Sequence, residues 1–272
     1  MGSTIGGFPA TPLTLGAMPM DFGGSTELGL YTEDATQRHA YGRRCLTWDG
    51  RVFKYGKSTN IVAATNVGLK FEGAVAVACT ALLDTEPIGS TQIHIDAGGA
   101  SALAKDVLAG GYIILNDSTW SIIQQRLITG NSLSDANGYT YIYLDAPFPA
   151  VQTKTTYYAE VCYNPWSALK YRGAAGDAYG SVAGLPATIT TVANYNLWLQ
   201  TWGPCFLAPQ SPIGTASLGA HNRQLTFRPD GAIDEHNYDE TYNTKAQHAG
   251  FILTYSTGGS DGPPLIMLQV SI

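Results

Sequence analysis

The stretch RRCLTWDGRVFKY, at positions 43–55, decides the fold class of this chain. Two runs of β-forming residues, 43–48 and 51–55, flank the pair Asp49 and Gly50. Asp-Gly between such runs is the strongest local signal for a β-hairpin, because the favoured two-residue turn needs positive φ at both central positions. The stretch therefore predicts an antiparallel hairpin.

Further short β-forming segments follow this hairpin along the chain. Residues 91–96 alternate between apolar and polar, and residues 139–144 place tyrosines on one face of a strand and their neighbours on the other. Residues 73–83 fit either a buried strand or a short apolar helix, which periodicity does not separate. The other predicted strands cover residues 112–115, 120–128, 155–163, 195–202, 225–228, 251–255 and 265–270. Their spacing of roughly 8 to 12 residues predicts an all-β fold with a β-sandwich or barrel-like body.

Helical character is confined to one short segment. Residues 101–108 begin with Ser101 as a possible N-cap and end before Gly110 and Gly111, which would stop a helix. We therefore expect at most one or two short helices.

Composition divides the chain into four parts. Residues 1–40 start with an apolar, Gly- and Pro-rich stretch without periodicity, which predicts an extended N-terminal arm lying on its own body or on a neighbour, with a frayed terminus as the alternative. Residues 41–166 form a first β-rich domain or half. Residues 167–190 are rich in Gly and Ala and are predicted as a long loop, and residues 191–272 form a second β-rich half packed on the first.

The chain carries few charges for its length. Only 13% of its 272 residues are charged, against roughly 25% in an average soluble domain. The net charge is −6, and no basic run of the kind that follows phosphates is present, so nucleic acid is not expected as a direct partner. A surface of Gly, Thr, Ser, Asn and Tyr indicates a β-rich structural or binding protein rather than a catalyst.

The cysteines and the N-terminus indicate an ordinary soluble protein. The four cysteines Cys45, Cys79, Cys162 and Cys205 lie far apart without zinc-ligand spacing, so we expect buried thiols rather than disulfides. Residues 1–7 do not resemble a secretory signal, and no run of about 18 apolar residues would span a bilayer. We expect no membrane partner.

Motifs for chemistry are sparse. The five histidines lie apart, and no nucleophile elbow, phosphate-binding loop or metal motif is present. His94 is expected on the polar face of its strand. The densest charge, at residues 230–240, is predicted as a solvated loop, with calcium binding as the alternative. Paired carboxylates for glycoside hydrolysis could also lie there, or at Asp84 and Glu86. The sequence therefore predicts no catalytic residue, no cofactor and no metal site.

The tryptophans divide into two groups. Core packing is the expected role of the four that lie in predicted strands, Trp48, Trp120, Trp198 and Trp202. Trp166 instead opens the predicted loop, and it is the aromatic residue most readily placed at an interface, where Trp and Tyr are enriched.

The order of strands and turns resembles that of one protein family. The segments YGRR (41–44), WDGRVFKYGK (48–57), LAGGYIILND (108–117) and YNLWLQTWGPC (195–205) resemble the β-rich virion proteins of tailed bacteriophages that decorate or cement the capsid. The likeness spans about residues 40–255. It implies a non-enzymatic protein on the capsid exterior, made in the cytoplasm of the host bacterium. Such a protein binds the major capsid protein, often as a symmetric oligomer, and stabilises the shell.

Contact segments follow from this resemblance and from the composition. A cement protein needs low-charge contact area and arms that cross between subunits, which favours Met1–Phe22 of the N-terminal arm and Trp166–Pro186 at the predicted loop. The candidate interface residues are Phe8, Met18, Met20, Phe22, Trp166, Tyr171 and Tyr179.

Two other functions remain open from the sequence. One is a tail or fibre component that binds a receptor. The other is a carbohydrate-active enzyme, with carboxylates among Asp230, Asp234, Glu235, Asp239 and Glu240. A major shell protein is disfavoured, because no segment predicts the long spine helix of that fold.

Overall fold

The structure is a computed structural model, and it confirms the all-β prediction. It describes the backbone of residues 4–5 and 8–9, and residues 29–71, 75–98, 103–117, 119, 123–171, 180–208, 223–235, 246–254 and 264–271. Every regular element in this part is a β-strand, and two curled antiparallel sheets form a sandwich-like or half-barrel-like body. The described part contains no helix long and apolar enough to cross a bilayer.

The described residues form eighteen strands. In chain order these are β1 (Thr4–Ile5), β2 (Phe8–Pro9), β3 (Arg44–Leu46), β4 (Val52–Lys57), β5 (Leu69–Phe71), β6 (Val75–Ala81), β7 (Gln92–Asp96), β8 (Tyr112–Asp117), β9 (Ile123–Asn131), β10 (Tyr139–Leu144), β11 (Tyr157–Cys162), β12 (Leu169–Tyr171), β13 (Val182–Pro186), β14 (Asn196–Phe206), β15 (Gln224–Phe227), β16 (Ile233–Glu235), β17 (His248–Thr254) and β18 (Leu265–Gln269). The short strands β1 and β2 pair only with each other.

Six of these strands form a curled sheet that we call the barrel. Its strand order is β6-β11-β8-β9-β10-β7, and every pair is antiparallel. The curl brings the two outer strands together: Leu82, directly after β6, forms a bridge with Ile95 of β7. The Leu83 N–H also donates to the His94 carbonyl at 2.9 Å.

Alternating side chains fill the inside of the barrel. In β7 and β10 the even spacing of apolar residues predicted from the sequence is confirmed, with one face buried and the other turned outward. The fully buried members include Ile93, Ile95, Leu108, Ile113, Leu115, Ile128, Ile142, Ala159 and Val161. Burial of this apolar surface, at about 25 cal/mol per Å², is the main force that holds the barrel closed.

The remaining long strands form a larger sheet that we call the main body. Its order is β12-β5-β13-β14-β18-β17-β15-β16, while β4 pairs with β14 and β3 pairs with β4. The eleven-residue strand β14 is central, because its side chains enter all three buried clusters of this body. Cys205 belongs to the first, Leu197 and Leu199 to the second, and Trp198 to the third.

The barrel is an insertion in the main body. The chain leaves the main body after β5 and returns at β12, and these two strands pair, with Leu169 opposite Phe71. Strands β3 to β5 therefore share one sheet with β13 to β18. The predicted division into residues 41–166 and 191–272 does not follow the sheets, since both stretches contribute strands to the main body.

The predicted loop over residues 167–190 needs correction. Strands β12 and β13 lie within it, and all five residues of β13 are buried. A Cβ on Gly184 would lie 2.7 Å from the Gln200 carbonyl oxygen, so a glycine is needed where β13 approaches β14. The small residues here reflect close strand packing, whereas the composition alone had indicated a loop.

The hairpin predicted from Asp49 and Gly50 is present, with a different turn. Strands β3 and β4 pair with Cys45 opposite Phe53. The Gly50 N–H donates to the Thr47 carbonyl at 3.0 Å, and only Gly50 has positive φ, at 84°. This is the longer hairpin loop that ends in a glycine bulge, rather than the two-residue turn with two positive φ values.

Two other local predictions are wrong. Residues 105–110 form turns instead of a helix, and Asp106 there has a φ of 59°, which no right-handed helix contains. Strand β14 also continues past Gly203 and Pro204, where the sequence predicted an end. Proline is tolerated because, in the described residues, β14 pairs beyond Trp202 with β18 alone, and the Gln200 side-chain amide donates to the carbonyls of Trp202 and Pro204 at 3.2 and 3.0 Å.

The described end of the predicted arm lies on the main body. Asp34 forms a bridge with Asn196, with backbone hydrogen bonds of 3.1 and 2.8 Å. The Glu33 carboxylate accepts hydrogen bonds from the backbone N–H and the hydroxyl of Thr191 at 2.7 and 2.8 Å. Residues 29–40 are thus tied to their own chain.

The three described cysteines, Cys45, Cys162 and Cys205, are free thiols, as predicted, and Cys79 lies where side chains are not described. Burial raises the pKa of the Cys205 thiol to about 12 and also raises the pKa of Cys45.

We therefore expect iodoacetamide at pH 8 to label Cys45 and Cys205 at least about a hundredfold more slowly in the native protein than in guanidinium. Peptide mass mapping after timed alkylation measures this ratio, and equal rates in the two states would contradict the buried placement.

Candidate functional site

The outer surface of three strands in the main body is apolar. On β14, β18 and β17 the side chains that point away from the core are Pro204, Phe206, Leu265, Met267, Phe251 and Leu253. We call this set the apolar face. The backbone register brings its members together: Pro204 and Phe251 both lie opposite Met267, and Phe206 lies opposite Leu265.

These side chains face outward because the alternate positions of the same strands fill the core. Cys205, Ile252, Ile266 and Leu268 are buried, so their neighbours along each strand must point the other way. Phe206 is 57% exposed, and Phe251 and Leu253 are each 36% exposed. Single exposed apolar residues are ordinary, whereas a contiguous apolar set on three paired strands makes this surface the candidate site of contact with a partner.

Sequence reasoning missed this surface, although a signal was present. Residues 251–253 and 265–268 are apolar at successive positions, so both faces of each strand are apolar. A strand at the surface of a sheet needs only one apolar face. The second apolar face therefore indicates a covered surface.

The tip of the β3–β4 hairpin presents a tryptophan. Trp48 is 83% exposed, so the expectation that it packs in the core is wrong, because it lies in the turn and not in a strand. The turn is braced by Arg51, which pairs with Asp49 at 2.7 Å and donates to the Tyr31 hydroxyl at 3.1 Å. Trp198, in contrast, is 1% exposed and packs in the core as expected.

The predicted interface residues fall into two groups. Trp166 and Tyr171 are partly buried against the cluster that contains Leu169, and Trp166 meets the Phe71 ring edge-on at 5.1 Å. Both residues contact their own chain. Phe8 lies in β2, where side chains are not described, and Met18, Met20, Phe22 and Tyr179 lie outside the described residues.

A second outward surface lies on the barrel, and we call it the tyrosine face. Tyr139, Tyr141 and Tyr143 of β10 lie in a row, each 37–39% exposed, opposite Asp96, His94 and Gln92 of β7. The His94 ring stacks on Tyr141, with centroids 4.2 Å apart and planes 10° apart. The Asp84 carboxylate contacts His94 Nδ1 at 2.6 Å. His94 is on the polar face of its strand, as predicted.

A shallow cleft of about 890 Å³ separates the barrel from the main body. Tyr41 and Lys57 line it from the main body, and Tyr112, Cys162 and Asn164 line it at the barrel. The Asn164 amide donates to the Tyr41 carbonyl at 3.2 Å and ties the two bodies together. Burial raises the pKa of the Cys162 thiol, so this group is protonated at neutral pH and is a weak nucleophile.

The described carboxylates of the acidic segment have structural partners. Asp230 and Asp234 lie 3.7 and 3.6 Å from the Arg228 guanidinium. The side chain of Glu235 is not described, and Asp239 and Glu240 lie outside the described residues. In the part of the chain that is described, no three His, Cys, Asp or Glu side chains are grouped as metal ligands.

The second pair of carboxylates considered from the sequence, Asp84 and Glu86, lies in two different environments. Asp84 is largely exposed beside His94, while Glu86 is 7% exposed and accepts hydrogen bonds from the His94 backbone N–H and the Ser90 hydroxyl. Glu86 therefore holds the start of β7 in place.

Comparison of the chain with protein-family models, with curated proteins and with solved structures finds no match. The surfaces themselves are therefore the basis for inferring function.

Proposed function

We propose that this protein is a non-enzymatic structural protein of a tailed-bacteriophage virion, which binds the outside of the capsid and stabilises the shell of major capsid protein. The observation that carries the proposal is the apolar face on β14, β18 and β17. The resemblance of residues 40–255 to capsid decoration proteins supplies the identity of the partner.

The shape of the apolar face favours a protein partner over a small ligand. Small molecules bind in concave pockets that enclose most of their surface. The apolar face instead lies on the outer surface of a paired sheet, with Phe206 more than half exposed. A second protein surface can cover such a face, and each buried Å² of apolar area contributes about 25 cal/mol before the costs of association are subtracted.

The rigidity of the scaffold supports the same role. The apolar face lies on a sheet whose opposite side belongs to one buried cluster, with the fully buried residues Leu207, Leu225, Ile233, Ile266 and Leu268. A preformed face loses little conformational entropy on binding. A protein that must hold a shell together benefits from this rigidity, and the low charge content of 13% reduces the desolvation cost of contact.

The test is a decoration assay with empty capsids of the parent phage. We expect the double variant Phe206→Ser, Phe251→Ser to bind these capsids at least about tenfold more weakly than the wild type, because two central aromatic contacts are lost. Bound protein is quantified after sedimentation of the capsids over a concentration series. Phe206 is 57% exposed and Phe251 is 36% exposed, so we expect the variant to stay folded, and circular dichroism checks this.

The matched control is Ile61→Ser, which removes an apolar side chain that is 52% exposed elsewhere on the main body. It should bind like the wild type. Unchanged occupancy with the double variant would contradict the proposal. Wild-type saturation at a fixed ratio to the major capsid protein is expected, whereas a few copies per particle would indicate a tail component.

A further inference from the structure

The tyrosine face has an acidic character as well as an aromatic one. Residues 75–163, which contain the barrel, hold eight Asp and Glu against three Lys and Arg, and so carry a formal charge of −5 out of −6 for the whole chain. Strands β7 and β10 contain no Lys or Arg, while Asp84 and Asp96 flank the tyrosine row. Exposed aromatic rings beside carboxylates attract cationic side chains, through cation–π contacts and charge-assisted hydrogen bonds.

The main body presents a matching basic pair. Arg44, on strand β3, is exposed and lies directly opposite Lys54 of β4. Like charges directly opposite one another in a sheet destabilise the pairing. Among the described residues no carboxylate lies within ion-pair distance of either side chain. The Lys54 ammonium group lies 5.9 Å from the centroid of the Trp166 ring.

Topology keeps these two surfaces apart within one chain. The curl of the barrel sheet makes its six strands a ring, in which β10 lies opposite β11 and β7 lies opposite β8. The tyrosine face, on β10 and β7, therefore lies across the barrel from β11 and β8. The barrel meets the main body at the end of β11, where Asn164 bonds to Tyr41. The tyrosine face thus takes no part in this contact with the body that carries Arg44.

We propose that the tyrosine face of one copy binds the Arg44–Lys54 pair of a second copy, so that copies associate head to tail. The Arg44 guanidinium stacks on the tyrosine row and pairs with Asp84, as its planar, delocalised charge allows. The carboxylates of the tyrosine face, Asp84 and Asp96, also offset the repulsion between Arg44 and Lys54. A contact between two different surfaces of identical chains closes into a ring where its rotation permits and otherwise extends as a filament.

The test measures association of the full chain in solution without capsids, so its failure is distinguishable from failure of decoration. Sedimentation velocity from 1 to 100 µM should show oligomers of the wild type, weakened by raising NaCl from 50 to 500 mM. Asp84→Arg alone and Arg44→Glu alone should each raise the dissociation constant about tenfold or more. Both positions are exposed, and circular dichroism confirms that each variant is folded.

Mixing the two variants gives the decisive measurement. The tyrosine face of the Asp84→Arg chain then meets the basic pair of the Arg44→Glu chain with both charges reversed, so attraction is restored. The unchanged Asp84 of the second chain can also meet the unchanged Arg44 of the first, and oligomers should reappear.

The control for the mixing experiment is Lys170→Glu, an exposed charge reversal on strand β12 of the main body that belongs to neither surface, and it should associate like the wild type. A wild type that is monomeric at 100 µM would overturn the proposal. So would oligomers that neither reversal weakens, or variants that stay monomeric on mixing.

Discussion

Replacing Gly250 by alanine is expected to destabilise the protein by about 4 kcal/mol or more. Gly250 lies in β17 with a φ of 142°, a backbone conformation that residues other than glycine rarely adopt. A Cβ at this position would overlap the Met267 carbonyl oxygen and lie 2.9 Å from the Met267 carbonyl carbon. Both atoms belong to the backbone of the paired strand β18, so the clash is relieved only by breaking the ladder.

A second glycine provides the control for this substitution. Gly89 has a φ of 84°, but a Cβ there would meet nothing within 4 Å. Gly89→Ala therefore reports the cost of positive φ alone, about 1–2 kcal/mol. Urea unfolding monitored by tryptophan fluorescence compares the two variants with the wild type. Equal losses of stability would show that the close approach of β17 to β18 is not a constraint.

Replacing Trp198 by alanine is expected to cost about 3–5 kcal/mol, the usual range for removing a large aromatic residue from a core. Trp198 is 1% exposed at the centre of the cluster formed by Cys45, Phe53 and Tyr55. Its ring lies 5.2 Å from that of Tyr55 and 5.3 Å from that of His39. The alanine variant would leave a cavity, since Cys45, Phe53 and Tyr55 are held in place by β3 and β4 and cannot move to fill it.

Trp198→Phe separates the packing contribution from the polar one. The Trp198 indole N–H is buried without a hydrogen-bond partner in the described residues, so phenylalanine removes an unfavourable group while keeping most of the ring. We expect it to cost less than half as much as alanine. Thermal unfolding by circular dichroism gives both values, and a phenylalanine variant as unstable as the alanine variant would mean that the indole N–H has a partner.

Local sequence signals predicted individual strands well. The hairpin around Gly50 and the alternating strands β7 and β10 depend on residues within a few positions of one another, and such patterns are visible in a single sequence. The order of strands in the sheets could not be predicted in this way. The pairing of β5 with β12 joins Phe71 to Leu169 across the whole barrel, and no local pattern records it.

The candidate surfaces were harder to predict than the strands. Trp48 and Trp198 both follow β-forming residues, yet Trp48 is exposed and Trp198 is buried. The difference arises because Trp48 lies just beyond the end of β3, in the turn, whereas Trp198 lies inside β14. The apolar face was also not predictable from local sequence. Strand β18 is apolar at successive positions, and only its register with β14 and β17 shows which of these side chains point outward.

The insertion of the barrel has a consequence for how the chain folds. Pairing Phe71 with Leu169 without structure between them would mean closing a loop of 97 residues, 72–168, at an entropic cost of roughly 4 kcal/mol. The barrel contains all its own strands between residues 75 and 162, so it can fold as soon as this stretch is complete. Once folded, it holds the ends of β5 and β12 near each other. We therefore expect the barrel to act as a template for the main body, whose sheet is completed when β18, the last strand of the chain, is added beside β14.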